Sequence, residues 1–521
     1  LTVALVSLVF PVSAVSAGDN RTNKLEEEVS LLKEQLALAQ KQINMLEAKL
    51  TSIQTDLAAG HSGKLTPEQC KLKFDREDIG PGEDRVMEER EDSTATADET
   101  ALAECQVKTM KPEDKVSLIA KTLTEGFNFE GYFRSGYGVN GQGGQQVAFM
   151  APEAGSKYRW GNETETYGEL LFSKNFNTTR PNDPFFRTDI RVAYQTEEND
   201  TWDPSHDMFA LREAYTEMGN FDFAPQMKFW AGQRFYQRHD VHIIDFWFLN
   251  MSGYGGGFEN MRFIGPTQLD VAYIGGSNDN YEFPKIGKVA KNSFDLRIHE
   301  LDLPYGEGTI WLVPSFLRGG NYTSGGVTNE YDGAAGLAAG FLHNKDEIFN
   351  IKGSKNEFMV QYGMGTGADF SPTVQNPDTK VGNRRGLRLT ESFVVQANDK
   401  FAMMCDAVYQ MDDNGQDSNN IRHWFSAGAR PIYFFTEHLA FVVEPGMDYV
   451  HSEMSDFEDV LFKLSAGPEL RFDNKFFGRP VLRAYVTYAV WGSGFKGRVG
   501  GEPYVDDTSG LAAGLQMEAW W

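Results

Sequence analysis

The chain has 521 residues and a formal net charge of −25, which excludes a nucleic-acid partner, because phosphate binding needs a basic surface. Aromatic residues make up 13 % and glycines number 52, a composition that suits a β-barrel with aromatic girdles and tight turns better than an ordinary enzyme. Beyond the first segment no run of about 18 apolar residues occurs, which excludes membrane-spanning helices and leaves a barrel open, since only alternate residues of a barrel strand meet lipid.

Residues 1–17 are apolar and end in Val15-Ser16-Ala17, small residues that suit signal peptidase. The sequence starts at Leu1 without a Met or a basic leader, so the segment reads as a truncated secretory signal, too short to span a bilayer. Residues 19–60 carry a heptad pattern. Val29, Leu36, Ile43, Leu50 and Leu57 occupy one seam position, and Leu25, Leu32, Ala39, Leu46 and Ile53 the other, with Glu, Lys and Gln between them. This spacing predicts an α-helical coiled coil. Residues 61–126 are polar and poor in aromatics, with Gly80-Pro81-Gly82 and a charged run from Glu83 to Asp92, and read as an acidic linker carrying one short helix near Val116–Leu123. Export permits oxidation, so Cys70 and Cys105 can pair. No cysteine, Cys405 included, has metal-ligand spacing with other Cys or His residues, so no metal or cofactor is expected.

The texture changes at residues 127–521. Aromatics become dense, and short alternating stretches are separated by turn-rich segments such as Ser277-Asn278-Asp279-Asn280 and Asp412-Asp413-Asn414-Gly415. In the last stretch Leu511, Ala513, Leu515, Met517, Ala519 and Trp521 alternate with Ala512, Gly514, Gln516, Glu518 and Trp520. A strand sends these two sets to opposite sides, one fit for lipid and the other for a wet lumen. Leu439–Tyr449 repeats the pattern less cleanly. A soluble β-sandwich shares this alternation, but export, the aromatic end of the apolar face and the length of the region favour an outer-membrane barrel in contact with lipid.

On the polar faces, charges and rings stand side by side: Glu130, Tyr132 and Arg134 share one face, and Glu165, Tyr167 and Glu169 another. A water pore has little use for such rings. A sugar has an apolar C–H face that rings receive and a hydroxyl rim that charged groups bind strongly, so the mixture points to a path for oligosaccharides. The densest cluster runs from Arg234 to Trp247 and holds two Arg, two His and two Asp. Asp240 with Asp245 could be read as a glycosidase pair, and His239 with His242 as metal ligands. A charged constriction explains the mixture better than either, or than a solvated loop, so no enzyme activity is expected.

Several motifs resemble the maltoporin family. They are Gly131-Tyr132-Phe133-Arg134-Ser135-Gly136, the run Ser156-Lys157-Tyr158-Arg159-Trp160-Gly161-Asn162-Glu163-Thr164-Glu165-Thr166-Tyr167, the run Arg234–Phe246, and the closing Gln516-Met517-Glu518-Ala519-Trp520-Trp521. The coiled coil is more like that of the related sucrose porins. The resemblance implies an all-β fold, an 18-stranded antiparallel transmembrane barrel, behind the N-terminal coiled coil. It also implies a homotrimer in the cell outer membrane, periplasmic termini that put the coiled coil in the periplasm, and a channel narrowed by an infolded loop. It implies an aromatic slide for maltodextrin-like oligosaccharides at Tyr132, Tyr167, Trp202, Trp247, Phe477 and Trp520. Trp202 would be the ring lent by a neighbouring subunit. The flanking polar track would be Arg134, Arg159, Glu169, Arg212, Arg238, Asp240 and Asp245. The chain also departs from the family. Trp247 replaces the usual Tyr, and Phe477 a Trp. No slide Phe precedes Phe358, where the segment reads Gly353-Ser354-Lys355-Asn356-Glu357. Ala148 and Thr164 stand about where a first-loop disulfide would be. The departures bear on which sugar passes; a sucrose or other glycoside porin and a general diffusion porin are the alternatives, with a coiled-coil tether between membrane and cell wall as a structural rival.

Overall fold

The computed structural model describes residues 126–155, 157–176, 183–198, 208–277, 290–324, 327–374 and 377–521. The expected signal, coiled coil and linker, the Cys70–Cys105 pair and Trp202 lie outside the described residues.

Eighteen strands form one sheet. In chain order they are β1 (Phe127–Asn140), β2 (Glu165–Asn175), β3 (Phe185–Glu198), β4 (Met208–Phe221), β5 (Ala224–Arg234), β6 (Gly253–Ile264), β7 (Thr267–Ser277), β8 (Ala290–Leu303) and β9 (Gly306–Leu317). They continue as β10 (Ala334–Asp346), β11 (Lys355–Met364), β12 (Arg385–Asn398), β13 (Phe401–Asp413), β14 (Ile421–Phe434), β15 (Leu439–Ser452), β16 (Phe457–Arg471), β17 (Val481–Trp491) and β18 (Ser509–Trp520). Each pairs antiparallel with its neighbour in sequence. β1 pairs with both β2 and β18, so the sheet closes on itself with no free edge. Closure satisfies every strand's backbone groups, which hydrocarbon demands.

The alternation of β18 appears as two faces. Leu511, Leu515 and Trp521 are 45, 66 and 56 % exposed, whereas Gln516 and Glu518 on the lumen side are 5 and 2 % exposed. Phe129, Phe172 and Trp521 meet on the outer face at 5.3 and 5.7 Å between ring centroids, as an aromatic girdle does.

The connections are lopsided. At one end residues 222–223, 265–266, 304–305 and 399–400 make short turns. At the other, residues 141–164, 235–252 and 365–384 are long and fold into the lumen. The family resemblance implied one infolded loop; the structure has three. The first is pinned by Tyr158, whose ring lies against Gly428 on β14 and Gly446 on β15. A Cβ at either glycine would stand 2.2 Å from that ring, so only glycine admits it. The Tyr158 hydroxyl lies 3.1 Å from the Ser426 hydroxyl, and Lys463 donates to its carbonyl. Trp160 donates from its backbone to Glu444 (2.9 Å) and from its indole to Glu469 (2.8 Å). The second loop carries a small hairpin, His239–Val241 with Phe246–Leu249. Its apolar residues Tyr236, Ile243, Ile244 and Phe248 are buried, and Arg388 of β12 donates to the Phe248 carbonyl (2.7 Å). Lys291 of β8 holds the third loop through the Ser371 carbonyl (2.6 Å).

A charge on the outer face meets lipid. Leu515→Arg, near the middle of β18, should lower stability in lipid vesicles by about 2–4 kcal/mol, read as a shifted urea midpoint.

Candidate functional site: the lumen constriction

Strand register assembles the first rings. Tyr132 lies opposite Trp520 across the β1–β18 seam, and Arg134 lies opposite Tyr167 across β1–β2. All four face the lumen. The Tyr132 and Trp520 rings stack at 6.2 Å with 19° between planes, and Tyr132 stands 6.0 Å from Tyr167. From the second infolded loop His242 meets Trp520 edge-on at 6.0 Å and Phe477 at 5.4 Å. Tyr167, Tyr132, Trp520, His242 and Phe477 therefore form one continuous run of rings. Four of the five are sequence-predicted slide residues. His242 was missed as a ring because it sits on a 3-10 turn, where strand parity says nothing.

Beneath the run lies a bed of ion pairs. The Tyr132 hydroxyl donates to Glu518 (2.9 Å) and accepts from Arg159 (2.7 Å). Glu518 also pairs with Arg159 (3.2 Å), Arg479 (2.8 Å) and Arg483 (2.9 Å). Arg159 and Arg134 share Glu163 at 3.0 and 3.6 Å, and Arg134 also pairs with Glu165. The Arg479 guanidinium lies 4.2 Å from the Trp520 ring centroid. Glu169 accepts from Tyr167 (2.5 Å) and pairs with Arg191 (3.1 Å). Buried charges persist only when paired, and these pairs hold the rings in place. Glu163, Glu518, Arg479 and Arg483 were not singled out in the sequence. The signal for Glu518 was there, since it shares a strand face with Trp520.

The predicted polar track thus divides in two. Arg134, Arg159 and Glu169 are occupied by protein partners. Among the described residues Arg212, Arg238, Asp240 and Asp245 have no ion pair. Arg238 is held between two π faces, 3.9 Å from the Phe235 centroid and 3.6 Å from that of Trp247, with Arg212 5.2 Å from Phe235. Such contacts orient a guanidinium without neutralising it. Trp247 belongs to this cluster and stands apart from the ring run.

Asp240 lies on the infolded loop rather than on a spanning strand. Burial pushes its carboxyl up to about 6, and the Asp245 carboxylate adds to the rise against Arg159 and Arg238. Burial, then the Arg159 and Arg430 charges, hold His242 well below its ordinary value, so its ring is neutral. Among the described residues no group of three or more His, Cys, Asp or Glu is placed to hold a metal. The arrangement places a ring surface beside charges of both signs that have no ion pair among the described residues.

The family model for LamB porin matches residues 127–521. Among solved structures, the chain is similar to a BenF-like porin from Pseudomonas fluorescens Pf-5, with 9 % identity over 76 % of this chain and 99 % of that one and a TM-score of 0.44. It is similar to Pseudomonas aeruginosa OccK9 (OpdG), at 10 % identity over 76 and 98 % with a TM-score of 0.43. It is also similar to Acinetobacter baumannii OccAB1, at 10 % over 76 and 97 % with a TM-score of 0.41.

Two outcomes follow from this geometry. Glu518→Leu leaves three guanidiniums without their shared carboxylate and should cost about 3–5 kcal/mol of stability, measured by urea unfolding in vesicles. Because the Asp240 carboxyl is raised, it gains its proton as pH falls through about 6. Reversal potentials should therefore show cation preference declining between neutral and mildly acidic pH, and Asp240→Asn should abolish that step.

Proposed function

The chain belongs to the LamB porin family of outer-membrane channels, and from that premise we propose that it carries oligosaccharides of the maltodextrin type by facilitated diffusion. The observation that carries this reading is the unbroken run from Tyr167 to Phe477, five rings within about 6 Å of one another in sequence along the lumen. Each ring receives the C–H face of one sugar unit. Arg212, Arg238, Asp240 and Asp245, without an ion pair among the described residues, exchange hydrogen bonds with the rims. Many weak stations in series keep the solute moving, since conduction needs binding that is favourable yet easily released. Trp247 lies against Arg238 and fixes the direction of that guanidinium.

The working unit in this reading is a homotrimer, to which Trp202 of each subunit contributes a ring at a neighbour's entrance, with the coiled coil extending into the periplasm. The outer wall of β1–β4 supports an interface there. Ser135 and Thr166 lie 2.7 Å apart and Thr188 and Thr216 3.0 Å apart, hydroxyl pairs that satisfy each other on a face otherwise given to lipid.

Planar-bilayer recording tests the reading. Maltohexaose should block the open-channel current in a saturable way, and Trp520→Ala or Tyr132→Ala should weaken that block at least about tenfold, the loss of one stacking platform. Unchanged block in both variants would mean a general diffusion porin; block by sucrose but by no maltodextrin would mean a glycoside channel of another specificity.

A further inference from the structure

Beyond Phe477 the path opens into a cavity of about 360 Å³, whose lining includes Asp240, His242, Lys355, Glu357 and Ser392 as well as Phe477. Lys355 and Glu357 lie on β11 and Ser392 on β12, all on the lumen side of their strands. Here charges and a hydroxyl join the rings, beside apolar Phe393, Val394 and Met404. Ser392 is only 6 % exposed, and its hydroxyl is a donor on the cavity wall. The Glu357 carboxylate is paired with His239 at 3.5 Å and with Lys355 at 3.6 Å. The Asp240 carboxylate has no ion pair among the described residues. The cavity therefore holds acceptors at Asp240 and Glu357 and donors at Lys355 and Ser392, and a carboxylate with about four lone-pair sites and an ammonium with three donors are not used up by one shared pair. Arg238, which also lines it, and Lys355 balance the two carboxylates in formal charge.

We propose that this cavity is a terminal saccharide station that reads one neutral sugar unit by its hydroxyl rim, while Phe477 holds the preceding unit by its face. The proposal rests on the sugar-path reading above. Adjacent donors and acceptors suit a group that is both at once, and vicinal hydroxyls are such groups. Formal neutrality gives no advantage to a sugar acid or an amino sugar. A buried polar site left unpaired by its ligand discriminates far more strongly than an apolar one does, so this station selects for a fully hydroxylated end unit, whereas the rings upstream accept any sugar face.

The test is a double-mutant comparison in planar bilayers with the full-length chain. The block constant is measured for maltohexaose and for its analogue deoxygenated on both terminal units. The wild type should bind maltohexaose about tenfold more tightly than the deoxy analogue. In Glu357→Gln and in the sterically milder Ser392→Ala the ratio should fall below about threefold. Equal block of the wild type by the two sugars, or a ratio unchanged in both variants, overturns the station while leaving the sugar path standing. Block by neither sugar overturns the sugar path and the station with it.

Discussion

Pairing of β1 with β18 is the constraint on which the rest of this molecule depends. In hydrocarbon an unpaired strand edge is prohibitively costly, so the first and last strands must meet, and the register at which they meet decides what faces the lumen. That register sets Tyr132 against Trp520 and Arg134 against Glu518. One seam thus closes the barrel, stacks the central pair of rings and delivers the carboxylate that gathers three guanidiniums. A slip of β18 by one residue would turn Trp520 and Glu518 toward lipid and leave Tyr132 and Arg134 without them.

Closure alone would leave a wide hole. The three infolded loops fill it, and they are held by strand side chains rather than by loop–loop contact alone. Gly428 and Gly446 make room for Tyr158, and Arg388 supplies a donor to the Phe248 carbonyl while lying 5.0 Å from the Phe246 ring and 4.8 Å from Phe370. The second and third loops therefore share one guanidinium. Rigid anchoring suits the proposed slide, whose rings must keep their spacing while solute passes over them.

The charges of the lumen do two separate jobs. Those around Glu518 and Glu163 are paired, buried and committed to holding rings. Arg212 and Arg238 lie against π faces, and these two with Asp240 and Asp245 have no ion pair among the described residues; in the proposed function their hydrogen-bonding capacity is left for a solute. Residue type does not separate the two groups, since each contains both signs.

The barrel was legible in the sequence because the side-chain period of a strand is local: Leu511 to Trp521 reveals both faces with no knowledge of any partner strand. Tyr132, Tyr167 and Trp520 could be assigned to the lumen for the same reason, as each shares a face with charged residues two positions away. Parity fails off the strands. His242 on its 3-10 turn and Trp247 in the hairpin take their places from a loop that returns through the lumen, and Phe477 from a connection between β16 and β17 at the other end of the barrel; nothing in neighbouring residues records where such segments lie. The pairing of Arg159 with Glu518 or Arg479 with Trp520 likewise joins positions far apart in the chain. Amino-acid order by itself determined the strands, their two faces and the kind of chemistry the lumen offers. Only the closed tertiary structure decided which charges are spent on one another and which of the described charges have no ion pair, because that depends on through-space distances set by register, closure and the inward folding of three loops.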